Sequence, residues 1–445
     1  MRIVYLTAGT GNFYCGSCLR DHSLAKGLRA MGHDVVIMPL YLPLVTEDHD
    51  QGDTPIFLGG INSYLQQKFS FFRKTPRWLD RLLDSRPLLK LAAKFSGMTK
   101  PKDLGEITVA TLLGVDGPQM KEFQRVLDWM KEHSKPDVVC LSNALLSGFA
   151  EPIKNQIGAK VVCSLQGEDT FIEKFPSTQR NATWDHLADQ TAFVDGYVAV
   201  SEYHADIMSR QMRIPPDKLH VVPNGIDLTG FDQIKRIEDH PPTIGFLAAL
   251  IPAKGLETLV DAFISLHQSQ RIPQLRLHIA GSSVPGQDGF RHAMQKKLDH
   301  AGCHGSYRIN TNISREEKLA FFTDLDVFSV PATYGESFGL YVLEALAAGV
   351  PVVQPDHAAF PEILAKTGGG RLCQPDNTKD LAEALANLLE NREASRQLGA
   401  QGREAVFVNY TSHAMANRFE QVLNEVVKDS AGITTSQSAL QPETV

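Results

Sequence analysis

Residues 331–353 read PATYGESFGLYVLEALAAGVPVV. The apolar run DVFSV at 326–330 precedes this stretch as a strand. Glu336 then lies in the loop after that strand. Ser337, Phe338, Gly339 and Leu340 open a helix, and Glu344 sits one turn into it. Backbone amides at a helix start, together with the helix dipole, favour an anionic phosphate. Gly339 allows the backbone to come close to a ligand. Carboxylates accept hydrogen bonds from hydroxyls, so Glu336 and Glu344 suit two parts of one polyhydroxylated ligand. Taken alone, the same two glutamates also read as residues that cap and solvate a helix start.

Outward from this stretch, further short apolar runs alternate with helical patterns. TIGFLA (243–248), LRLHIA (275–280), SYRIN (306–310) and PVVQ (351–354) read as strands. Ser314 with Glu317 forms a capping box before KLAFFTDL. A Pro-Asn-Gly turn near Asn224 to Asp227 marks a boundary. Before it, Arg2 to Leu6, HDVVIMPLY, DVVCLS (137–142), KVVCSL (160–165) and GYVAVS (196–201) form a second series. The opening is βαβ, with Gly32 ending the first helix, which implies a parallel sheet. The fold class is α/β with two doubly wound sheets. Loops starting near Gly9, Ser142, Gln166 and Ser201 should converge beyond the carboxyl ends of the first sheet.

The bulk numbers narrow the function. A chain of 445 residues is too long for one ordinary core. A net charge of -7 disfavours a general nucleic-acid role. Six cysteines in this length make no disulfide framework and fit a reducing cytoplasm. MRIVYLTAG is too short an apolar run for a signal peptide, and no run reaches the ~20 residues of a spanning helix. The expected location is cytoplasmic.

The 331–353 run resembles the donor-binding signature of retaining glycosyltransferases of the GT-B fold, family four (group 1). MGHDVVIMPLY, VVPNGIDLTGF, ALIPAKGLETLVDAF and AAFPEIL resemble further segments of that family. The resemblance implies two Rossmann-like domains facing a cleft. These are residues 1–224 on the acceptor side and 225–411 holding the nucleotide-sugar. A final helix at about 412–428 packs back on the first domain, and 429–445 form a disordered tail. It implies transfer of a sugar from a nucleotide-sugar to an acceptor hydroxyl with retention, with no metal and no cofactor beyond the donor. Glu336 would bind donor-sugar hydroxyls and Glu344 the ribose. Lys254 would neutralise the diphosphate as charge develops on it. Ser337, Phe338, Gly339 and Leu340 would complete the donor site. Gly11, with Gly9, belongs to the glycine loop GTGNFYCGSC that faces donor phosphates and acceptor. DLD at 324–326 resembles a metal-binding Asp-x-Asp but sits at a helix-to-strand joint, which makes it structural.

Two departures bear on activity. The family arginine five residues before the lysine is Ala249, and the family histidine position holds Ser142, with Asn143 beside it and Gln166 nearby. Arg20 is a candidate to replace the missing cation. The alternative to an active transferase is a nucleotide-sugar-binding pseudoenzyme. Asn143, Glu168 and Asp169 are acceptor-side candidates, and the two acids read equally well as a helix cap. Cys15 and Cys18 read as a redox pair, as half of a zinc site with Cys140 and Cys163, or, preferred here, as packing groups. Residues 60–105 carry ten Lys/Arg against three Asp/Glu, with Phe69, Phe71, Phe72, Trp78 and Phe95 among them. This suits either a peripheral contact with an anionic membrane, and hence a lipid-linked acceptor, or a solvated helical insertion.

Overall fold

The computed structural model describes residues 1–8, 16–41, 101–237, 239–283 and 288–436, with the backbone alone at 101–103 and 429–436. Gly9, Gly11, Cys15 and residues 42–100, which hold most of the basic segment, lie outside this set. The chain divides into two compact units. Unit 1 is Met1–Pro223 with Met415–Val445, and unit 2 is Asn224–Ala414.

In unit 1, six strands among the described residues run parallel in the order β2-β1-β3-β4-β5-β6. They are β1 (Arg2–Thr7), β2 (Asp34–Pro39), β3 (Val138–Leu141), β4 (Lys160–Leu165), β5 (Gly196–Ala199) and β6 (Leu219–Val221). Helices cover both faces, so strand residues are buried on both sides and read as unbroken apolar runs. Alternation splits them between two cores. Val4 and Leu6 join Phe123, Leu127 and Phe149 on one face. Ile3 and Tyr5 face Met415, Phe419, Leu423 and Val426 on the other. Those last four belong to the final helix, Ser412–Ser436. It runs beyond the expected end at 428. DSAGITTS contains no proline, and extending an existing helix costs little compared with starting one.

Unit 2 repeats the architecture with β7 (Thr243–Leu247), β8 (Arg276–Gly281), β9 (Tyr307–Thr311), β10 (Val327–Phe328), β11 (Val352–Pro355) and β12 (Gly370–Cys373). The order is β12-β11-β10-β7-β8-β9, all parallel. The chain starts in the centre at β7, builds outward through β8 and β9, then crosses back to β10. The switch point therefore lies between β7 and β10, and the loops after these two strands meet there. The Ser314–Glu317 capping box is present at the start of the Arg315–Phe321 helix. No helix among the described residues is long and apolar enough to cross a membrane.

Candidate active site

The loop after β7 carries Lys254, and the loop after β10 carries Tyr334 and Glu336. The lysine is held by its surroundings. Gly255 follows it at φ +73° and starts the Leu256–Ser269 helix. A Cβ at Gly255 would lie 1.7 Å from the Pro331 carbonyl oxygen, so only glycine lets the two loops approach this closely.

Lys254 Nζ sits 2.5 Å from Glu336 Oε2 and 2.5 Å from the Tyr334 hydroxyl. Tyr334 and Tyr341 also donate to Glu336 Oε2, at 2.8 and 2.9 Å. The ammonium lies 4.9 and 5.2 Å from the centroids of the same two rings. Burial first, and then the Glu336 charge, hold the Tyr341 phenol well above its ordinary pKa, so it remains a donor at neutral pH. Three donors thus converge on one carboxylate oxygen. Among the described residues Glu336 Oε1 has no hydrogen bond, and an ammonium has a third N–H beyond the two used here.

Gly339, at φ +88°, precedes the Leu340–Ala347 helix, and no side chain caps it. Ser337, Phe338 and Gly339 are therefore loop, one turn short of the expected helix start. Phe338 is buried, with its ring 6.4 Å from that of Tyr410, so this side chain packs rather than faces a ligand. Any contact it makes with a donor passes through its backbone. Glu344 projects from the helix and pairs with Lys318 at 2.8 Å. Ala249 has no charge to offer in the loop after β7.

Several expected roles change in unit 1. Arg20 cannot supply the missing cation, because its side chain is 0% exposed and bonds Tyr5, Asp21 and Ser164 at 2.8, 3.1 and 3.1 Å. It is an internal ion beneath the loops. Glu168 is buried too. Its carboxylate accepts from the backbone N–H groups of Ala144, Gln166 and Gly167 at 2.8, 2.7 and 3.0 Å. An ionised carboxylate with three amide donors organises the chain, so Glu168 shapes these loops instead of meeting acceptor hydroxyls. Asp169 faces the buried His204, with Oδ1 3.6 Å from Nδ1, and burial raises its carboxyl pKa. Asn143 Oδ1 accepts from Leu145 N and caps the 144–149 turn of helix. Gln166 donates to the Ser142 carbonyl oxygen and to Asp21.

Cys140 and Cys163 lie fully buried within β3 and β4, where burial pushes both thiols up. Cys18 is buried in the first helix. Among the described residues no group of acidic, histidine or cysteine side chains is arranged to hold a metal. In the DLD segment, Asp324 takes Arg308 at 3.3 Å, and Asp326 accepts from Thr243 N at 2.9 Å.

Residues 230–405 match the family model for glycosyl transferases group 1, and residues 111–229 match that for glycosyltransferase family 4. The chain belongs to this glycosyltransferase family and is a transferase enzyme. The glycosyltransferase is 25% identical over 396 residues to the GDP-mannose-dependent alpha-(1-6)-phosphatidylinositol monomannoside mannosyltransferase of Mycobacterium tuberculosis. That match covers 83% of this chain and 96% of the relative. It is 29% identical over 220 residues to the phosphatidyl-myo-inositol mannosyltransferase of the same organism, covering 48% of this chain and 55% of that one. Among solved structures it resembles sucrose-phosphate synthase from Thermosynechococcus elongatus. The TM-score is 0.69 at 17% identity, over 96% of this chain and 99% of the other. Anabaena HepE in complex with UDP gives 0.66 at 14% identity, over 96% and 100%. These glycosyltransferase structures identify the fold as GT-B, with two Rossmann-like domains.

Tyr334, Tyr341 and Lys318 escaped the sequence reading. The two tyrosines flank Glu336 within five residues, and that proximity was the one available signal. Lys318 had none, because its partner Glu344 is 26 residues away.

Proposed function

We propose that this glycosyltransferase moves a hexosyl unit, first of all mannosyl, from a nucleoside diphosphate sugar to an acceptor hydroxyl, with retention and without a metal. The observation that carries the reading is the Lys254–Glu336 pair with its two tyrosines, placed at the switch point beside an uncapped helix start. The diphosphate would lie against the amides that follow Gly339, with the third N–H of Lys254 stabilising the leaving charge. Glu336 Oε1 would take a sugar hydroxyl, and Glu344, oriented by Lys318, the ribose. Asp324 and Asp326 are tied to neighbouring groups, so the lysine is the cation this reading uses. Mannose as the sugar follows the mannosyltransferase activities for which the relatives are named, and retention follows the family resemblance.

Thermal shift with a panel of nucleoside diphosphates and their sugars tests the donor assignment, since a bound ligand stabilises in proportion to occupancy. Glu344→Gln is expected to weaken free nucleoside diphosphate about tenfold, the usual scale for a hydrogen bond to a charged group. Glu336→Gln should leave that ligand within twofold and weaken the sugar-bearing donor by a similar tenfold. Identical effects of both variants on both ligands would show that the roles are misassigned. Turnover unaffected by EDTA is the matching result for the metal.

For the acceptor, we propose a lipid-linked polyol reached at an anionic membrane surface. The relatives' names include phosphatidylinositol compounds, and the basic excess at 60–105 supports the location. Co-sedimentation with vesicles should rise with anionic lipid and fall with salt. It should disappear when Arg73, Lys74, Arg77 and Arg81 become glutamine. No sedimentation at low salt would point to a soluble acceptor.

A further inference from the structure

Unit 2 holds a cavity of about 300 Å³ at the opposite end of its sheet from Lys254 and Glu336. Its walls come from segments that precede strands: His240 before β7, Asp326 before β10 and Gly349 before β11. The Arg392–Asn409 helix closes it with Arg392, Arg396 and Arg403, and Arg236 completes the lining charge. Four arginines therefore face one carboxylate.

Two of the arginines have a structural reason to be there. Arg236 donates to the Gly349 carbonyl oxygen at 3.1 Å and to that of Leu325. Arg403 donates to the carbonyl oxygens of Ala347 and Phe231. Ala347 and Gly349 mark the end of the Leu340–Ala347 helix, where unpaired carbonyls and the dipole favour cations.

Arg392 and Arg396 have no such reason. Both are exposed, and among the described residues neither has a hydrogen bond or an ion pair. They stand four residues apart, Arg392 opening the helix and Arg396 one turn further in. Like charges at that spacing repel, and the positive end of the dipole repels cations as well. Asn391 does not cap this helix with its side chain. Arg236 Nε is buried without a hydrogen-bond partner. Burial lowers the Arg236 pKa; Asp326 opposes this, and the nearby Arg396 adds to it. Among the described residues Asp326, 3.9 Å from Arg236, is the one carboxylate lining the cavity, so most of the positive charge of Arg392 and Arg396 is left unbalanced unless an anion occupies it.

We propose that this cavity is a binding site for a compact, soluble phosphate compound bearing at least two negative charges, separate from the donor site. Guanidinium groups match phosphate oxygens two at a time. The volume lies at the small end for ligand pockets, which suits a pyrophosphate or a sugar phosphate. The site would place Arg392 and Arg396 on the outer oxygens and Arg236 at the back.

Calorimetric titration of the full chain with pyrophosphate, at an ionic strength of about 0.15 M, tests this. The Lys254→Ala variant removes the competing donor-site cation and weakens that site, so the cavity is expected to be the tighter, saturable pyrophosphate site that remains. Adding Arg392→Gln and Arg396→Gln to it should weaken that site at least tenfold. Adding Ala400→Glu instead, an exposed position on the cavity wall, should do the same. Unchanged unfolding midpoints without ligand would confirm that these surface variants are folded. Loss of all pyrophosphate binding in Lys254→Ala alone would overturn the proposal, as would undiminished binding in both added variants. Neither result would touch the donor-site reading, which is read from nucleoside diphosphate sugars and from Glu336 and Glu344.

Discussion

Lys254→Met is expected to lower kcat/KM about a thousandfold, the upper range for removing one preorganised charge stabiliser. Free nucleoside diphosphate should bind only about tenfold more weakly, because the helix-start amides remain. The loss is concentrated in turnover because the diphosphate gains charge as the glycosidic bond breaks, so the ammonium is worth more then than in the ground state. Stability should also fall, since Glu336 keeps its charge with only two phenols around it. Lys254 and Glu336 are 15% and 11% exposed in their side chains. The cost should therefore be about 2 kcal/mol, below that of a fully buried pair. Lys254→Met combined with Glu336→Gln separates the two effects. The double variant should regain most of the stability, because neither charge is stranded, and none of the turnover. Wild-type turnover within tenfold in Lys254→Met would mean that another group stabilises the leaving diphosphate.

What was legible in the sequence follows from burial and range. VVCL at 138–141 and TIGFL at 243–247 read as strands because both of their faces are covered, which leaves an unbroken apolar run. LHV at 219–221 and GRLC at 370–373 did not, because they are edge strands with part-exposed side chains. Glu336 and Glu344 were visible as a spacing on one loop and one helix. Lys254 was visible too, by resemblance, but its pairing with Glu336 was not, nor was Lys318 as the partner of Glu344. Lys254 lies 82 residues from Glu336, and the crossover between β7 and β10 brings the two together. Glu168 was ambiguous between ligand and cap because a short Gly-Glu-Asp segment supports both. Three converging backbone amides decide it, and no composition rule reveals where amides converge.

Arg20→Met should be the most destabilising change in unit 1, at about 3–5 kcal/mol, the range for stranding one member of a buried ion pair. Side-chain exposure is 0% for Arg20 and 1% for Asp21. Asp21 Oδ1 accepts from Arg20, from the Tyr5 hydroxyl at 2.9 Å and from Gln166 at 3.0 Å. Burial pushes the Asp21 carboxyl up to about 6, and Arg20 is the largest influence holding it down. Without the guanidinium its folded pKa rises further above the unfolded value. A carboxyl raised in this way binds its proton more tightly when folded, so the stability from that proton is present at low pH and lost as pH rises through the folded pKa. The variant should therefore lose more stability at pH 8 than at pH 5, read from urea midpoints of the first unfolding transition. Asp21→Asn added to Arg20→Met should recover most of the loss and flatten the pH dependence. Gln166 links this network to the Ser142 carbonyl, at the carboxyl ends of β3 and β4. The single variant should consequently loosen the loops after those strands before the whole unit unfolds, with faster amide exchange at Asn143 and Gly167 than in β5. A pH-independent loss, or no rescue by Asp21→Asn, would show that Arg20 acts through packing on Phe419, 5.6 Å from its guanidinium, and not through the Asp21 charge.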